Sequence, residues 1–453
     1  MGMMPAGANE ERAPRDGTQP SADVLTTAAH LSAPQRRRHD TWHDSWVDAV
    51  SDLNRLKASH PMLDAVIDEQ RGRQIRIGDH WLADFASCNY LGFDLDEEII
   101  AAVPEYLAQW GTHPSWSRLL GSPRLYPEIE EQTAELLGCE DVLLLPTISL
   151  IHMSVIPVLA ANGTVFMDSR AHKTIYDGCM LAFGRGASVE RFRHDDWDHL
   201  ETLIRRSDPH APRIIALDGV NSMTGNAPNL AEFARIACEH DAVLYVDDAH
   251  GFGVIGERSA HELCDYGVKG NSIMRHLDVS YDHVVLVGGF SKSYSSLLAF
   301  VAVPTALKES LKVLAPPYLY SGPSPVASLA TALTGLEVNR KRGDAVRYEL
   351  WRKTHRVLDA LDTLGVYTPN RSGNPLIEIP LASHHDIDAV GRILFDRGIY
   401  VTLAAYPLVP KHEVGFRIQI TAANTDEEIE HLITTIAEIA ERFSLASPME
   451  STA

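Results

Sequence analysis

The sequence predicts an α/β protein: a large domain on a mostly parallel central sheet flanked by helices, then a small α+β C-terminal domain. Three observations lead there. Short, uninterrupted apolar runs recur between helix-length amphipathic stretches, the pattern of strands buried on both faces. Two of these runs, 243–246 and 284–287, each end in a cluster of polar residues, and open α/β sheets gather ligands at strand carboxyl ends. Finally, 453 residues of globular composition, 45% hydrophobic and 22% charged, exceed one ordinary domain and suit a large one plus a smaller one.

Residues 1–45 read as a disordered tail with Pro5, Pro14, Pro20 and Pro34 and few large apolar residues; its Arg36-Arg37-Arg38 run fits a solvated segment. Residues 1–40 contain no signal-peptide core, and no run of about eighteen apolar residues exists to span a bilayer. The apolar stretch 149–161 is short and broken by His152 and Pro157. Cys88, Cys139, Cys179, Cys238 and Cys264 are dispersed without CxxC spacing, which reads as reduced thiols. The expectation is a cytoplasmic protein. A net charge of −21 argues against a nucleic-acid partner, which would call for a basic stripe. No HExxH or paired-cysteine spacing points to a metal.

Residues 46–88 form an entry segment. Trp46, Val50, Leu53 and Leu56 recur near helical period, and 73–77, Gly78-Asp79, 80–85 reads as a hairpin. The large domain is expected over 89–323. Its strands are read at 141–145, 165–168, 214–217, 243–246 and 284–287, with a helix from about Leu230 to His240. Over 324–453 a helix from Pro325 to about Arg340 leads to strands at 376–379, 400–403 and 416–420. Helices near 388–397 and 426–442 cover them.

The chain is organised around 244–292. The strand ending at Asp247-Asp248-Ala249-His250 is followed by Gly251 and Gly253, and the next delivers Gly288-Gly289-Phe290-Ser291-Lys292. An acid, an imidazole and an amine at neighbouring strand ends suit pyridoxal phosphate: the amine forms a Schiff base, the acid keeps the pyridine nitrogen protonated, and the ring stabilises a carbanion. Asp-x-x-His alone is weak evidence; the full ordered set is specific. It resembles the α-oxoamine synthase family of fold-type-I pyridoxal phosphate enzymes, which includes serine palmitoyltransferase and 8-amino-7-oxononanoate synthase. The resemblance covers roughly 46–445, and Ile175-Tyr176-Asp177-Gly178-Cys179 and Arg191-Phe192-Arg193-His194 lean toward the palmitoyltransferase branch.

The resemblance implies roles residue by residue. Lys292 carries the cofactor, Asp247 pairs with its ring nitrogen, and His250 acts near the phenolic oxygen and the substrate carbonyl. His172, in Ala171-His172-Lys173-Thr174, stacks on the ring, and Ser222, in Gly219-Val220-Asn221-Ser222-Met223, reaches the phenolic oxygen. Thr147, Ser149 and Leu150 at a helix N-terminus cradle the phosphate, with Ser291 and, from the partner subunit's side, the segment of Ser321. Arg417 holds the amino-acid carboxylate, while Asn89, Ser117 and Arg118 border the substrate channel. The chain departs from the family pattern at Cys88, Ser149, Gly289 and Gly322, three of them around the phosphate.

The implied activity is decarboxylative condensation of an amino acid with an acyl thioester to an α-aminoketone, in a homodimer with the active site at the subunit interface. Two alternatives stay open at this point: an aminotransferase or aldol-type lyase on the same fold, and an inactive partner subunit.

Overall fold

The computed structural model describes residues 51–447. The expected tail, 1–45, and the start of the expected first helix lie outside the described residues; a helix Ser51–Ser59 is the described part of that segment.

Fourteen strands run through the described chain: β1 Glu69–Arg71, β2 Gln74–Ile77, β3 His80–Asp84, β4 Asp141–Leu145, β5 Thr164–Asp168, β6 Ser188–Phe192, β7 Arg213–Asp218, β8 Val243–Asp247, β9 Val284–Gly289, β10 Ala299–Val303, β11 Leu376–Pro380, β12 Ile399–Tyr400, β13 Thr402–Ala404 and β14 Gly415–Gln419. They form three sheets. The large one has the order β4-β10-β9-β8-β7-β5-β6 and is parallel except for β10, which runs antiparallel to both β4 and β9. Its central strands are buried, as their near-continuous Val, Ile and Leu content demands. Leu143, Leu145, Val165, Met167, Ile214, Ala216 and Val287 pack with Ile151, Val155, Ile175 and Cys179 of the helices Ile148–Ala160 and Lys173–Gly184.

Sequence periodicity missed β6 and β10. β6 is largely exposed, so its pattern lacks an apolar face, and β10 lies in a short apolar run straight after the Lys292 segment. A Cβ on Gly288 would sit 2.3 Å from the Phe300 ring, so glycine lets β10 close against β9.

The expected hairpin forms as β2–β3, β1 adds a further strand that the sequence reading missed, and β3 pairs in parallel with β12, tying the entry segment to the C-terminal region. The expected single strand 400–403 is in fact split at Val401: β12 joins the hairpin sheet, while β13 joins the sheet β11-β14-β13. The helix expected to end near Arg340 continues to Leu364, 39 residues in all. Gly343 sits inside this run without breaking it, because buried Arg347 anchors that turn to Asn339 and to the Gly253 carbonyl. The last helix, Asp426–Arg442, starts where expected, with a Thr425–Glu428 capping box. Among the described residues no helix is long and apolar enough to cross a membrane.

Candidate active site

The carboxyl ends of β7, β8 and β9 open onto a cavity of about 210 Å³. Asp247 and Lys292 both line it, as do His250, His172, Ser222, Thr147, Ser149 and Ser291. Ile148, Thr174, Asp218, Val220 and Ala249 complete the wall.

Lys292 Nζ lies 2.7 Å from His250 Nε2, and His250 Nδ1 lies 2.8 Å from the Tyr90 hydroxyl. With the lysine donating to Nε2, the ring proton sits on Nδ1 and is donated to Tyr90. Burial pulls the Lys292 amine below its ordinary range, so the neutral form needed of a nucleophile or base becomes accessible. Burial, reinforced by the neighbouring Lys292 charge, also holds His250 well below the usual imidazole range.

Asp247 is the opposite case. Burial pushes its carboxyl up, but the charge and hydrogen bond of His152, with Lys292 and His172 behind, outweigh that and keep it ionised. His152 Nε2 donates to Asp247 Oδ2 at 2.9 Å, and its Nδ1 lies 2.8 Å from the Tyr245 hydroxyl. The second Asp247 oxygen accepts from the Ala249 N–H at 3.0 Å. Its neighbour Asp248 faces the other way, accepting from the Ile273 N–H at 3.0 Å, which separates the roles of the two consecutive aspartates. Asp218, also on the wall, is pushed well above the carboxylate range by burial and by Asp247. It accepts from the backbone N–H of His172 at 3.0 Å and so sets the start of the helix Lys173–Gly184, which His172 caps.

The phosphate end is built on the helix Ile148–Ala160. Thr147 caps it by accepting from the Leu150 N–H at 3.2 Å, leaving the Ile148 and Ser149 N–H groups at the mouth. Leu150 is therefore not part of the cavity wall; the turn that faces the cavity is one residue earlier than expected, at Ile148-Ser149. A Cβ on Gly289 would meet Ile148 Cδ1 at 2.7 Å, so the Ile148 side chain occupies the space a hydroxyl residue at 289 would use. Ile148 thus fills the volume that glycine leaves free at 289. With Ser149, Ser291 and the helix N-terminus at one end, and an ionised acid and a deprotonable amine at the other, the lining fits pyridoxal phosphate.

Other expected site residues fall elsewhere. Arg118 is buried, with Nη2 on Glu130 at 3.0 Å, Nε on Ser122 at 3.2 Å and Nη1 on the Leu144 carbonyl, under the rings of Tyr126 and Tyr318. Its donors are engaged inside the protein, so the substrate-binding role expected of it is corrected to a structural one. Ser117 accepts from the Leu119 N–H, and Ser321 donates to the Gly322 carbonyl; neither lines the cavity, and nor does Asn89. Arg417 stands at its edge, its Nη1 donating to the Ser222 carbonyl at 2.6 Å. Cys88 lies against Gln419, whose Nε2 is 3.8 Å from the thiol sulfur. His152, Tyr90, Tyr245 and Asp218 were not singled out by sequence. The one available signal was a histidine within an otherwise apolar helix.

A model of the family described as aminotransferase class I and II matches residues 82–436. A putative 8-amino-7-oxononanoate synthase of Desulforudis audaxviator is 32% identical over 359 residues, 79% of this chain and 89% of that one. The chain belongs to the aminotransferase class I and II family, and within it to the α-oxoamine synthases. A serine palmitoyltransferase of Sphingobacterium spiritivorum is 29% identical over 384 residues, 84% of this α-oxoamine synthase and 92% of its own length. Among solved structures, the serine palmitoyltransferase of Sphingomonas wittichii superposes with a TM-score of 0.79 at 26% identity, covering 87% of this synthase and 96% of that chain. The family is one of pyridoxal phosphate-dependent acyltransferases, as the motifs implied.

Proposed function

We propose that this α-oxoamine synthase condenses an amino acid with an acyl thioester, releasing carbon dioxide and an α-aminoketone, with the roles below. The observation that carries the assignment is the pairing of an amine with a lowered pKa, Lys292, and an ionised carboxylate, Asp247, across one cavity.

Pyridoxal phosphate, when bound, withdraws electron density from the amino acid's α-carbon into its ring. Lys292 would hold it covalently, and its free amine would be the base that takes the α-proton. Asp247 would hold a proton at the ring nitrogen, and His152 keeps that carboxylate ionised and oriented. His172 would stack on the ring, and Ser222 and His250 would face its phenolic oxygen. Ser149, Ser291 and the helix N-terminus beside Thr147 would hold the phosphate. Arg417 anchors the substrate carboxylate, for which a guanidinium is suited. His250 Nε2, which faces Lys292 Nζ, would receive the proton that Lys292 takes from the α-carbon and pass it to the oxygen that develops negative charge on the acyl group.

We also infer a homodimer. Trp116, Leu119, Leu120 and Tyr320 are exposed apolar residues on the two segments that the Arg118–Tyr318 contact joins. Exposed apolar side chains on both segments, beside Ser321, support a partner subunit at this face. Domains over 89–323 and 324–453 are supported by the large sheet lying within 141–303 and the three-stranded sheet within 376–419. Five free thiols support a cytoplasmic location.

The test is a spectral titration of the holoenzyme with single amino acids, followed by acyl thioesters. A spectral response to one amino acid, with thiol released only when thioester is added, is the expected result. A response that ignores every thioester would point instead to the aminotransferase or lyase chemistry.

A further inference from the structure

The sheet β11-β14-β13 turns one face toward the cavity. Alternate residues share a face, so Glu378, Arg417 and Gln419 lie together on it: Glu378 is the register partner of Arg417, and Gln419 is two residues further along β14. Arg417 reaches the carbonyl of Ser222, a cavity residue, and Gln419 reaches Cys88, which bears electrostatically on Lys292. This face therefore borders the reacting groups.

Each of the three side chains keeps a buried polar atom with no partner: Glu378 Oε1, Arg417 Nε and Gln419 Oε1. Glu378 is only 4% exposed and Gln419 is fully buried. Unpaired buried polar atoms are unfavourable, and three on adjoining positions mark a place completed by a ligand. An amino acid's carboxylate offers acceptors only, so it can satisfy Arg417 but neither Gln419 nor an ionised Glu378. Those two acceptors need a donor from elsewhere in the substrate. The α-nitrogen is committed to the cofactor, which leaves the side chain.

We propose that Glu378 and Gln419 form a side-chain subsite beside Arg417, selecting an amino acid whose side chain carries a hydrogen-bond donor. This inference rests on the reading of Arg417 as the carboxylate anchor. The charged groups facing Glu378 are Arg170, Arg417 and Glu413, and burial holds its carboxyl up to about 7. A hydroxyl satisfies this carboxyl in either protonation state, whereas an ammonium pairs with the ionised form alone.

The experiment measures calorimetric binding of glycine, L-alanine, L-serine and L-2,3-diaminopropionate to the holoenzyme, and kcat/KM for each with an acyl thioester. Wild type, Glu378→Leu and Gln419→Leu are compared. The subsite requires wild type to prefer L-serine or the diamine over L-alanine, and Glu378→Leu to lower that preference about tenfold or more while L-alanine still binds. Which of the two donors is preferred distinguishes hydroxyl from ammonium. Gln419→Leu provides the same comparison should Glu378→Leu fail to fold. A wild-type preference for glycine or L-alanine, or a ratio unchanged in the folded variants, overturns the subsite and leaves the condensation reading intact. A holoenzyme that binds none of the four and consumes no thioester with any of them overturns both.

Discussion

His152 Nε2 stands 2.9 Å from Asp247 Oδ2, and the other nitrogen of the same ring is held by Tyr245. A helix over the sheet thereby fixes the ionisation of an acid at a strand end. Burial pushes the acid up and His152 is foremost among the groups that hold it down, and a neutral acid cannot hold a proton on a pyridine nitrogen.

Replacing His152 by Phe keeps an aromatic ring there and removes that control. The expected result is a kcat lower by about ten- to a hundredfold, with cofactor still bound. The cofactor's visible spectrum should also respond to pH differently, a readout that mere loss of stability would not alter.

Lys292→Ala should abolish covalent attachment. Borohydride treatment followed by mass spectrometry is expected to add the cofactor mass to wild type and nothing to the variant, whose turnover should fall by about a thousandfold or more. Normal turnover in the variant would remove Lys292 from the mechanism.

Tyr90→Phe removes the hydroxyl that lies 2.8 Å from His250 Nδ1. The imidazole loses its orientation and its preferred tautomer, so kcat should fall about tenfold while amino-acid binding stays near wild type. Separate measurement of kcat and of calorimetric affinity checks the split.

Arg118→Met addresses a structural residue. Glu130 would keep Lys308 at 3.1 Å but lose the guanidinium, so the protein should lose about 3 kcal/mol of stability. Denaturant unfolding should register the loss, and the KM for the amino acid should not move. A raised KM with unchanged stability would restore Arg118 to the substrate channel.

Glu378 makes stability depend on pH. Its carboxyl titrates at about 7 in the folded chain against an ordinary 4.5, because burial opposes the charge. The folded state then holds the proton more tightly than the unfolded one, so stability is highest below pH 4.5 as far as this group is concerned. It declines as pH rises from about 4.5 to 7, by on the order of 3 kcal/mol at most. Glu378→Gln should flatten the unfolding free energy across that window, and an equally steep wild type and variant would contradict the assignment.

The sequence by itself determined the fold class, most of the strands of the main sheet, and the residues at the ends of β8 and β9. Those features are local or periodic: an apolar run signals a buried strand, and Asp247, His250 and Lys292 follow such runs directly. Tertiary structure alone decided what surrounds them. His152 lies 95 residues before Asp247, Tyr90 lies 160 before His250, and no spacing rule links either pair. Burial likewise decided that Arg118, which sits in a family-like motif, spends its donors on Glu130, Ser122 and the Leu144 carbonyl. The same holds for the split between β12 and β13, where one apolar run serves two sheets because β3 and β14 lie on either side of Val401. Hydrogen bonds and charge act through space, and only the folded chain says which distant groups are brought within reach.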